Sequence, residues 1–560
     1  MKKELLIEKF VQACEKCRES GIFTFDEIPE FTVTRPAKSE FGDFTSNIAM
    51  TLAKPARKSP RDIADAIIKN LDIDPDTLDK IEIAGAGFIN IYLKSSWLGD
   101  IVKKILESGE NWGKTDFGKG TKILSEYVSA NPNGPLSIPH GRGAMIGDVL
   151  TKVLRYAGFE VSSEFYVNDA ANSLQMIRFG ESLVIRYLQI LGEDIDFPEE
   201  GYHGEYVKDF AKKIADEHGD KYKSMETEER LELFTTLGKK AMIEWQKEVL
   251  ESFGVTFDRW YFESDLIESG AVEKNLDKLQ EIGVTYTDDG ALFMKTTDFG
   301  DDKDRALVRG NGKPTYFASD VAYHKDKFDR GFDRIIDIWG PDHHGYMART
   351  RAAMEALGYS AKEVYVLIYQ VVRLMKNGEF VMGGKRKGDI VLLSELINQV
   401  GSDAARYFFL LRSSDSDLNF DMDLAIKESN DNPVFYVQYA HARICSILRM
   451  AEERNIATDN LTNVDLSPLG DEAEASLIRR LNEFPEEINM AAEYYEPHRL
   501  TRYAQDIAKE FHAFYDKCPI LKEGTNENVR DARLALALAT KISLNNILTQ
   551  VLGVSAPEKM

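Results

Sequence analysis

The pattern of apolar and polar residues changes along the chain. Residues 1 to about 115 mix helical and strand-like patterns, which predicts an α+β domain. From about 122 to 423, short apolar runs alternate with runs in which apolar residues recur every three or four positions. This alternation predicts an α/β domain whose parallel sheet is covered by helices on both faces. From about 433 onward the period is helical, which predicts an all-α helical bundle.

The middle segment contains apolar runs of strand length at 122–128, 334–339 and 364–372. A charged, helix-rich insertion is predicted at about 197–261. We therefore expect domains at 1–115, 116–430 and 431–560, and we interpret the polar, Gly- and Lys-rich stretch at 109–122 as the first linker.

The segment SANPNGPLSIPHGRG at 129–143 is the most informative part of the chain. It follows the strand predicted at 122–128 and opens a helix, whose first turn tolerates Pro139 because amides there have no intrahelical partner. Helix N-termini offer free donors and partial positive charge, so this segment predicts an anion site. A plain turn between a strand and a helix remains the alternative.

Composition narrows the class of protein. Hydrophobic residues make up 43% and charged residues 29% of the 560 residues, as in globular proteins of several domains. No apolar run is long enough to span a membrane. The first residues resemble an amphipathic helix more than a secretory signal, so we expect a cytoplasmic protein without a membrane segment.

Cysteines and net charge exclude further classes. Four cysteines are too few and too scattered for a disulfide framework. Cys14 and Cys17 lack a second pair for zinc, so we predict one turn of a helix there and no bound metal. The net charge of −23 argues against a protein that coats nucleic acid. Basic clusters at 385–387, 441–449 and 498–502 still allow a local RNA-binding track.

Several segments together resemble one family. The run NPNGPLSIPHGRGAMIGD at 131–148, with YVNDA at 166–170, resembles the class I aminoacyl-tRNA synthetases and, within them, the arginyl-tRNA synthetases. Further similar segments are GDFTSNIAMTLAK (42–54), GFIN (87–90), YHGEY (202–206), GPDHHGY (340–346), NPVFYVQYAHARICSI (432–447), DARLAL (531–536) and LGVSAPEKM (552–560).

The resemblance implies an architecture and an activity. It implies an N-terminal domain that contacts the tRNA elbow, a Rossmann-type catalytic domain with an insertion, and a helical anticodon-binding domain. The implied activity is the ATP-dependent attachment of arginine to its tRNA, with Mg²⁺ accompanying ATP, by an enzyme expected to be a monomer.

The two signature motifs of the family are altered in this chain. The HIGH positions are Ser137, Ile138, Pro139 and His140, so the resemblance assigns catalytic roles to His140 and to Ser137, which can donate one hydrogen bond to a phosphate. The KMSKS motif aligns with residues 382–386. Lys385 is the predicted catalytic phosphate-binding lysine, and Met382 and Lys387 are predicted to contact ATP.

The resemblance also assigns residues to the two small substrates. It implies ATP contacts at Gly134, Gly141, Gly340, Asp342 and His343. Arginine requires acceptors, because a guanidinium has five donors and no acceptor. The family positions for arginine correspond here to Glu126, Asn131, Tyr316 and Asp320. A carboxylate inside an apolar strand, such as Glu126, costs free energy unless it is paired.

Two other functions compete with this interpretation. Because both motifs are altered, a synthetase-derived protein that binds tRNA or arginine with weak or lost activation is one alternative. Another Rossmann-type nucleotide enzyme, such as a dehydrogenase, is less consistent with the sequence, since the loop at 129–143 lacks the GxGxxG spacing that a dinucleotide requires.

Overall fold

A computed structural model describes residues 3–34, 36, 41–75, 77–169, 174–343, 345–381 and 391–560. The chain divides into two compact units. The first contains residues 1–109, 447–482 and 510–540, and the second contains 110–446, 483–509 and 541–560. The helical C-terminal region therefore contributes residues to both units.

The first unit begins with an antiparallel sheet of order β1-β2-β4-β3 that packs against helices. The elements are α1 (Lys3–Glu19), β1 (Val33–Thr34), β2 (Phe44–Ser46), α2 (Ile48–Ala56), α3 (Pro60–Asn70), β3 (Leu78–Ala84), β4 (Phe88–Leu93) and α4 (Ser95–Ser108). Cys14 and Cys17 are buried one turn apart on α1, as predicted. Burial raises the pKa of Cys14 to about 12, so this thiol stays protonated.

Two of the segments that resemble the family, 42–54 and 87–90, pair within this sheet. Thr45 of β2 lies opposite Asn90 of β4, and its hydroxyl donates to the Asn90 side chain at 2.7 Å. Gly42 has φ 93°, and a Cβ there would lie 2.6 Å from the carbonyl oxygen of Ile91. Only glycine fits this close approach without strain.

The second unit is built on a five-stranded parallel sheet of order β12-β11-β5-β6-β7, which confirms the predicted fold class. Smaller sheets have the orders β10-β9-β8 and β14-β13-β15. The unit begins with β5 (Lys122–Tyr127), α5 (Ile138–Tyr156) and β6 (Glu160–Val167), and the helices of the insertion follow: α6 (Leu174–Ile190), α7 (Glu205–His218) and α8 (Thr227–Ser252). Then follow β7 (Arg259–Phe262), α9 (Glu263–Glu268), α10 (Ala271–Glu281), β8 (Thr285–Asp288), β9 (Ala291–Met294), β10 (Arg305–Val308), α11 (Tyr316–Asp329) and β11 (Arg334–Trp339). The remaining elements are α12 (Tyr346–Ala356), β12 (Val364–Ile368), β13 (Val372–Lys376), β14 (Glu379–Phe380), α13 (Leu393–Val400), α14 (Ser402–Phe409), β15 (Leu418–Asp421) and α15 (Met422–Ala425).

Two sequence-based expectations differ from the structure. The run at 364–372 is not one strand, because β12 ends at Ile368 and β13 joins another sheet. The helical insertion begins before residue 197, since α6 packs with α7 and α8 in one core. In the stretch at 109–122 Trp112 is buried, and its carbonyl accepts a hydrogen bond from Tyr156.

The helices of the C-terminal region are α16 (Pro433–Glu453), α17 (Glu472–Asn482), α18 (Phe484–Glu493), α19 (Arg499–Lys517) and α20 (Glu527–Asn545), followed by a π-helical segment (Asn546–Leu552). This confirms the predicted all-α pattern. Gln438 and His441 of α16 are buried and bond to Ser555 and Pro557 near the chain end. These two side chains therefore pack inside the second unit and are not free to contact RNA bases.

Candidate active site at the carboxyl edge of the parallel sheet

The strand order of the parallel sheet indicates where a ligand binds. From β5 the chain continues to β6 and β7 on one side, whereas β11 and β12 lie on the other side. Ligands of open parallel sheets bind outside the carboxyl ends of the strands at such a switch point. The loop after β5 carries residues 129–137, and the loop after β11 carries Gly340 and Asp342. The fold thus brings both predicted loops to one edge.

The turn after β5 has an unusual backbone. Val128 and Ser129 have φ values of 72° and 43°, and the Ser129 amide donates to the Tyr127 carbonyl at 3.0 Å. A β-branched residue in this conformation is strained, and such strain is found at functional sites. The turn places the Ser129 hydroxyl 2.7 Å from Glu126 Oε1, to which it donates. The sequence alone gave no sign of this turn.

Residues of the helical insertion hold the loop at 129–137. The side chains of Asn131 and Asn133 both donate to Gln175 on α6, at 2.8 and 3.1 Å. Gln246 on α8 donates to the carbonyls of Asn131 and Gly134, at 3.1 and 2.9 Å. The YHGEY segment also contributes, through hydrogen bonds of the Tyr202 and Tyr206 hydroxyls with Asn133. The insertion therefore fixes the loop that carries Asn131.

Ser137 and His140 form a pair at the start of α5. Ser137 is the N-cap residue, and its amide donates to His140 Nδ1 at 3.1 Å. The Ser137 hydroxyl lies 2.9 Å from the same nitrogen. Because an amide can only donate, Nδ1 must be the acceptor, and the neutral ring carries its proton on Nε2. Burial lowers the pKa of His140 to about 4, so the ring is uncharged at neutral pH.

Close packing fixes α5 against the sheet. A Cβ at Gly147 would lie 2.1 Å from the Tyr127 ring, and one at Gly143 would lie 2.8 Å from the Tyr369 ring. Arg142 is fully buried and donates to the carbonyls of Gln370 and Ser413, at 2.7 and 2.9 Å. The helix that carries His140 is thus tied to the segment that follows β12.

The predicted nucleotide glycines have different surroundings. A Cβ at Gly141 would lie 2.5 Å from Leu393 Cδ1, so this glycine permits close packing of α5 on α13. Its amide bonds to the Ser137 carbonyl inside the helix. Gly134 and Gly340 have no such crowding, since their nearest neighbours would lie 3.8 and 3.6 Å away. Asp342 is exposed, and the His343 side chain lies outside the described part of the structure.

The second signature motif also lies outside the described residues, and with it Met382, Lys385 and Lys387. The chain on either side is described. Before the motif, the amide of Val381 donates to the Leu374 carbonyl at 2.9 Å, and after it Leu392 forms a β-bridge with Ser137. Leu392, the second residue after the undescribed segment 382–390, therefore lies beside the start of α5.

The predicted arginine residues converge on the same edge. Glu126 lies near the end of β5 and is buried. Asp320 and Tyr316 lie one turn apart at the start of α11, where the Tyr316 side chain is exposed. Glu126 and Asp320 are both close enough to Tyr166 to disfavour its ionised form and so raise its pKa, although burial of the Tyr166 hydroxyl is the larger cause. Two carboxylates thus line one end of the sheet.

Glu126 is paired, as a buried carboxylate requires. Lys327 Nζ lies 2.5 Å from Glu126 Oε2 and 2.8 Å from Asp337 Oδ1, and its side chain has no exposed area. Asp337 also accepts from His324 Nε2 at 2.9 Å. Sequence reasoning missed Lys327, Asp337 and His324, because nothing in the sequence shows that β5 and β11 are neighbours in this register.

Asp320 differs from Glu126 in having no described lysine or arginine within salt-bridge distance. Burial raises the pKa of Asp320 to about 6, against the opposing charges of His324 and Arg349. A half-buried carboxylate with spare acceptor capacity suits a cationic ligand. The arrangement can therefore bind a planar cation at the carboxylates and a phosphate at the start of α5.

The described residues lack both a metal-binding cluster and a membrane-spanning helix. No group of three or more His, Cys, Asp or Glu side chains is arranged to hold a metal ion there. Among the helices of the described ranges, none is both long and apolar enough to cross a membrane.

Comparison with known proteins covers nearly the whole chain. Residues 4–93 match the arginyl tRNA synthetase N terminal domain, residues 101–409 the catalytic domain of class I (R) tRNA synthetases, and residues 437–560 the DALR anticodon binding domain.

Individual relatives agree with these domain matches. The arginine–tRNA ligase of Caldanaerobacter subterraneus subsp. tengcongensis is 46% identical over 100% of this chain and 99% of its own length. That of Desulforamulus reducens is 47% identical over 95% of this chain and 94% of its own length. The structure of Thermus thermophilus arginyl-tRNA synthetase has a TM-score of 0.76 at 22% identity, and the comparison covers 100% of both chains, which shows a shared fold.

Proposed function

The chain belongs to the class I arginyl-tRNA synthetases, and on that basis we propose how its own residues join arginine to tRNA. The enzyme is an arginine–tRNA ligase that uses ATP as a substrate. It forms arginyl-adenylate with release of pyrophosphate and then transfers arginine to the 3′ end of the tRNA. Family membership favours this activity over a binding protein that has lost activation.

Arginine recognition is proposed for the carboxylates at the edge of the sheet. Glu126 and Asp320 accept hydrogen bonds from the guanidinium, and Tyr316 covers it one turn before Asp320. Asn131 binds the α-amino and carboxylate end. The observation that carries this assignment is two carboxylates near the switch point of the sheet: Glu126, which is buried and keeps acceptor capacity beyond its lysine, and Asp320, which is half-buried and forms no salt bridge among the described residues.

ATP is proposed to bind along the loop and the start of α5. The Nε2–H of His140 donates to a phosphate oxygen, the partial positive charge at the start of α5 attracts the phosphates, and Gly134, Gly340 and Asp342 line the nucleotide. Since the Ser137 hydroxyl donates to His140, we assign Ser137 the role of fixing the ring. Gly141 contributes close packing. Lys385, Lys387, Met382 and His343 stay part of the proposal from the sequence alone.

The chemical step needs no general base. The arginine carboxylate is already ionised, and its oxygen attacks the α-phosphorus while the bond to the pyrophosphate oxygen breaks. Negative charge shifts onto the leaving pyrophosphate, so donors held in place before the reaction lower the barrier. A neutral His140 fixed by Ser137 supplies one such donor without a change in protonation.

Mg²⁺, oligomeric state and location complete the proposal. We propose that Mg²⁺ enters bound to the ATP phosphates, as part of the substrate. We propose that the enzyme is a monomer, which light scattering after size-exclusion chromatography tests, and that it is located in the cytoplasm.

We also propose that two parts of the chain contact tRNA. Residues 1–115 would contact the tRNA elbow, and residues 431–560 would contact the anticodon.

The activity is tested by ATP–pyrophosphate exchange over all twenty amino acids, with and without tRNA. We expect exchange with arginine alone among the amino acids, followed by arginine-dependent charging of tRNA. Exchange with another amino acid, or tRNA binding without any charging, would refute the proposed function.

A further inference from the structure

A row of three carboxylates crosses the centre of the parallel sheet. In the strand register, Glu126 of β5 lies beside Asp337 of β11 on one side and beside Glu164 of β6 on the other. Their side chains are at most 7% exposed. Neighbouring residues in this register share a face of the sheet, so three like charges face the same side, which is unfavourable unless cations meet them.

Helix α11 and the residue that follows it supply those cations. Lys327 bridges Glu126 and Asp337 at 2.5 and 2.8 Å. Arg330, three positions later, contacts Glu164 through two hydrogen bonds of 2.6 and 3.0 Å. Residues three apart lie on one face of a helix, so a single face serves the whole row.

Lys327 acts on Glu126 in a way that Arg330 does not. Glu126 is held from two sides, by Lys327 at Oε2 and by the Ser129 hydroxyl at Oε1. A carboxylate has about four acceptor sites, so Glu126 is fixed in position and still able to accept from a ligand. Arg330 contacts Glu164, which is one strand further from the switch point.

We propose that Lys327 is a positioning residue for arginine recognition, which offsets the repulsion between Glu126 and Asp337 and holds the Glu126 carboxylate toward the guanidinium. This inference rests on the proposed function. Without Lys327, Glu126 and Asp337 are adjacent buried carboxylates with no shared cation, and their repulsion displaces the Glu126 side chain. That displacement weakens a charge-assisted hydrogen bond to arginine.

The test compares Lys327→Met with Arg330→Met in the full chain. Both variants break ion pairs of the same row, so both are expected to lower folding stability, Lys327→Met more strongly because Glu164 keeps the Tyr323 hydroxyl in Arg330→Met. Only Lys327→Met is expected to raise the KM for arginine, on the order of 10- to 100-fold, with a smaller change in kcat and in the KM for ATP. Aminoacylation kinetics and calorimetric titration with arginine give these values.

A second variant covers the case in which Lys327→Met does not fold. The double variant Lys327→Met/Asp337→Asn removes one charge of each sign and is expected to be more stable than the single variant. Its KM for arginine stays raised, because Glu126 still lacks its contact with Lys327.

The outcomes separate the two proposals. If wild type charges tRNA with arginine and these variants keep its arginine KM, the role of Lys327 is refuted. If wild type shows no arginine dependence, both proposals fail.

Discussion

Asp320 is the residue at which recognition and stability oppose each other. Burial raises the pKa of its carboxyl to about 6, so its ionised form destabilises the folded protein. For an acid whose pKa is higher in the folded state, this cost is absent below the ordinary carboxyl pKa of about 4, grows as the pH rises to about 6 and is constant above that. A cationic ligand offsets the cost. The site is therefore suited to bind arginine at the expense of stability.

Asp320→Asn is expected to weaken arginine use and to stabilise the fold. The loss in kcat/KM for arginine should correspond to about 2–5 kcal/mol, the range for removing one partner of a buried charged pair. Urea denaturation at neutral pH should show a gain of about 1–3 kcal/mol. The control is Asp329→Asn on the same helix, whose partner is the partly exposed Lys325. A normal arginine kcat/KM in Asp320→Asn would remove this residue from the pocket.

The pH profile of arginine use should reflect the same carboxyl. As the pH falls through about 6, Asp320 of the free enzyme takes up a proton and loses its charge, so kcat/KM for arginine should fall. His140, with its pKa lowered to about 4, adds no inflection near neutral pH. Exchange rates measured across this range should lose the inflection in Asp320→Asn. An unchanged inflection in that variant would assign it to another group.

At the residue level, sequence reasoning reached only part of the site. It predicted that Glu126 must be paired, since a lone carboxylate in an apolar strand is costly. The partner Lys327 is 201 positions away in the chain, and Asp337 becomes its neighbour only through the register of β5 and β11. Contacts of this kind depend on tertiary structure, and periodicity does not reveal them.

At the scale of elements, helix α5 shows how close packing fixes His140, which we propose to be catalytic. Its glycines face aromatic rings, and its first turn carries His140. The sequence predicted the start of this helix, because Pro139 is typical of the first helical turn. It did not predict the end of β12, where the apolar run continues: the Tyr369 amide still donates to Trp339 of β11, but the Gln370 amide donates to Ser414.

Gly147→Ala should destabilise the protein although alanine favours helices. A Cβ there would lie 2.1 Å from the Tyr127 ring, so α5 or the ring must shift, at a cost of about 1–3 kcal/mol. The matched control is Gly470→Ala, where a Cβ meets nothing within 4 Å, and we expect little change. Midpoints of chemical denaturation compare the two. Equal stabilities for both variants would contradict this account of the packing.

At the scale of the molecule, Arg406 joins distant segments of the second unit. Its guanidinium contacts Asp148 of α5 at 2.5 Å, the carbonyl of Phe253 at 2.7 Å and the carbonyl of Leu552 at 2.8 Å. The side chain is 1% exposed. The C-terminal segment is therefore part of the structural support of α5 and, through it, of the site.

Arg406→Met is expected to lower the stability of the full chain by about 3–5 kcal/mol, since three buried acceptors lose their charged donor: the carbonyls of Phe253 and Leu552, and the Asp148 carboxylate, which keeps only Lys152. Urea denaturation measures the loss. The control Lys541→Met removes an ion pair of 3.8 Å with the exposed Glu558, and it should change stability by less than about 1 kcal/mol. A similar small effect in both variants would show that Arg406 does not join these segments.

The central claim is that Glu126 and Asp320 bind the guanidinium of arginine while the start of α5 binds ATP. The most direct measurement is a crystal structure of the full chain with arginine, tRNA and a non-hydrolysable ATP analogue. We predict guanidinium nitrogens at about 2.7–2.9 Å from both carboxylates and phosphate oxygens beside His140. Arginine bound elsewhere, with Glu126 and Asp320 both free of it, would contradict the account.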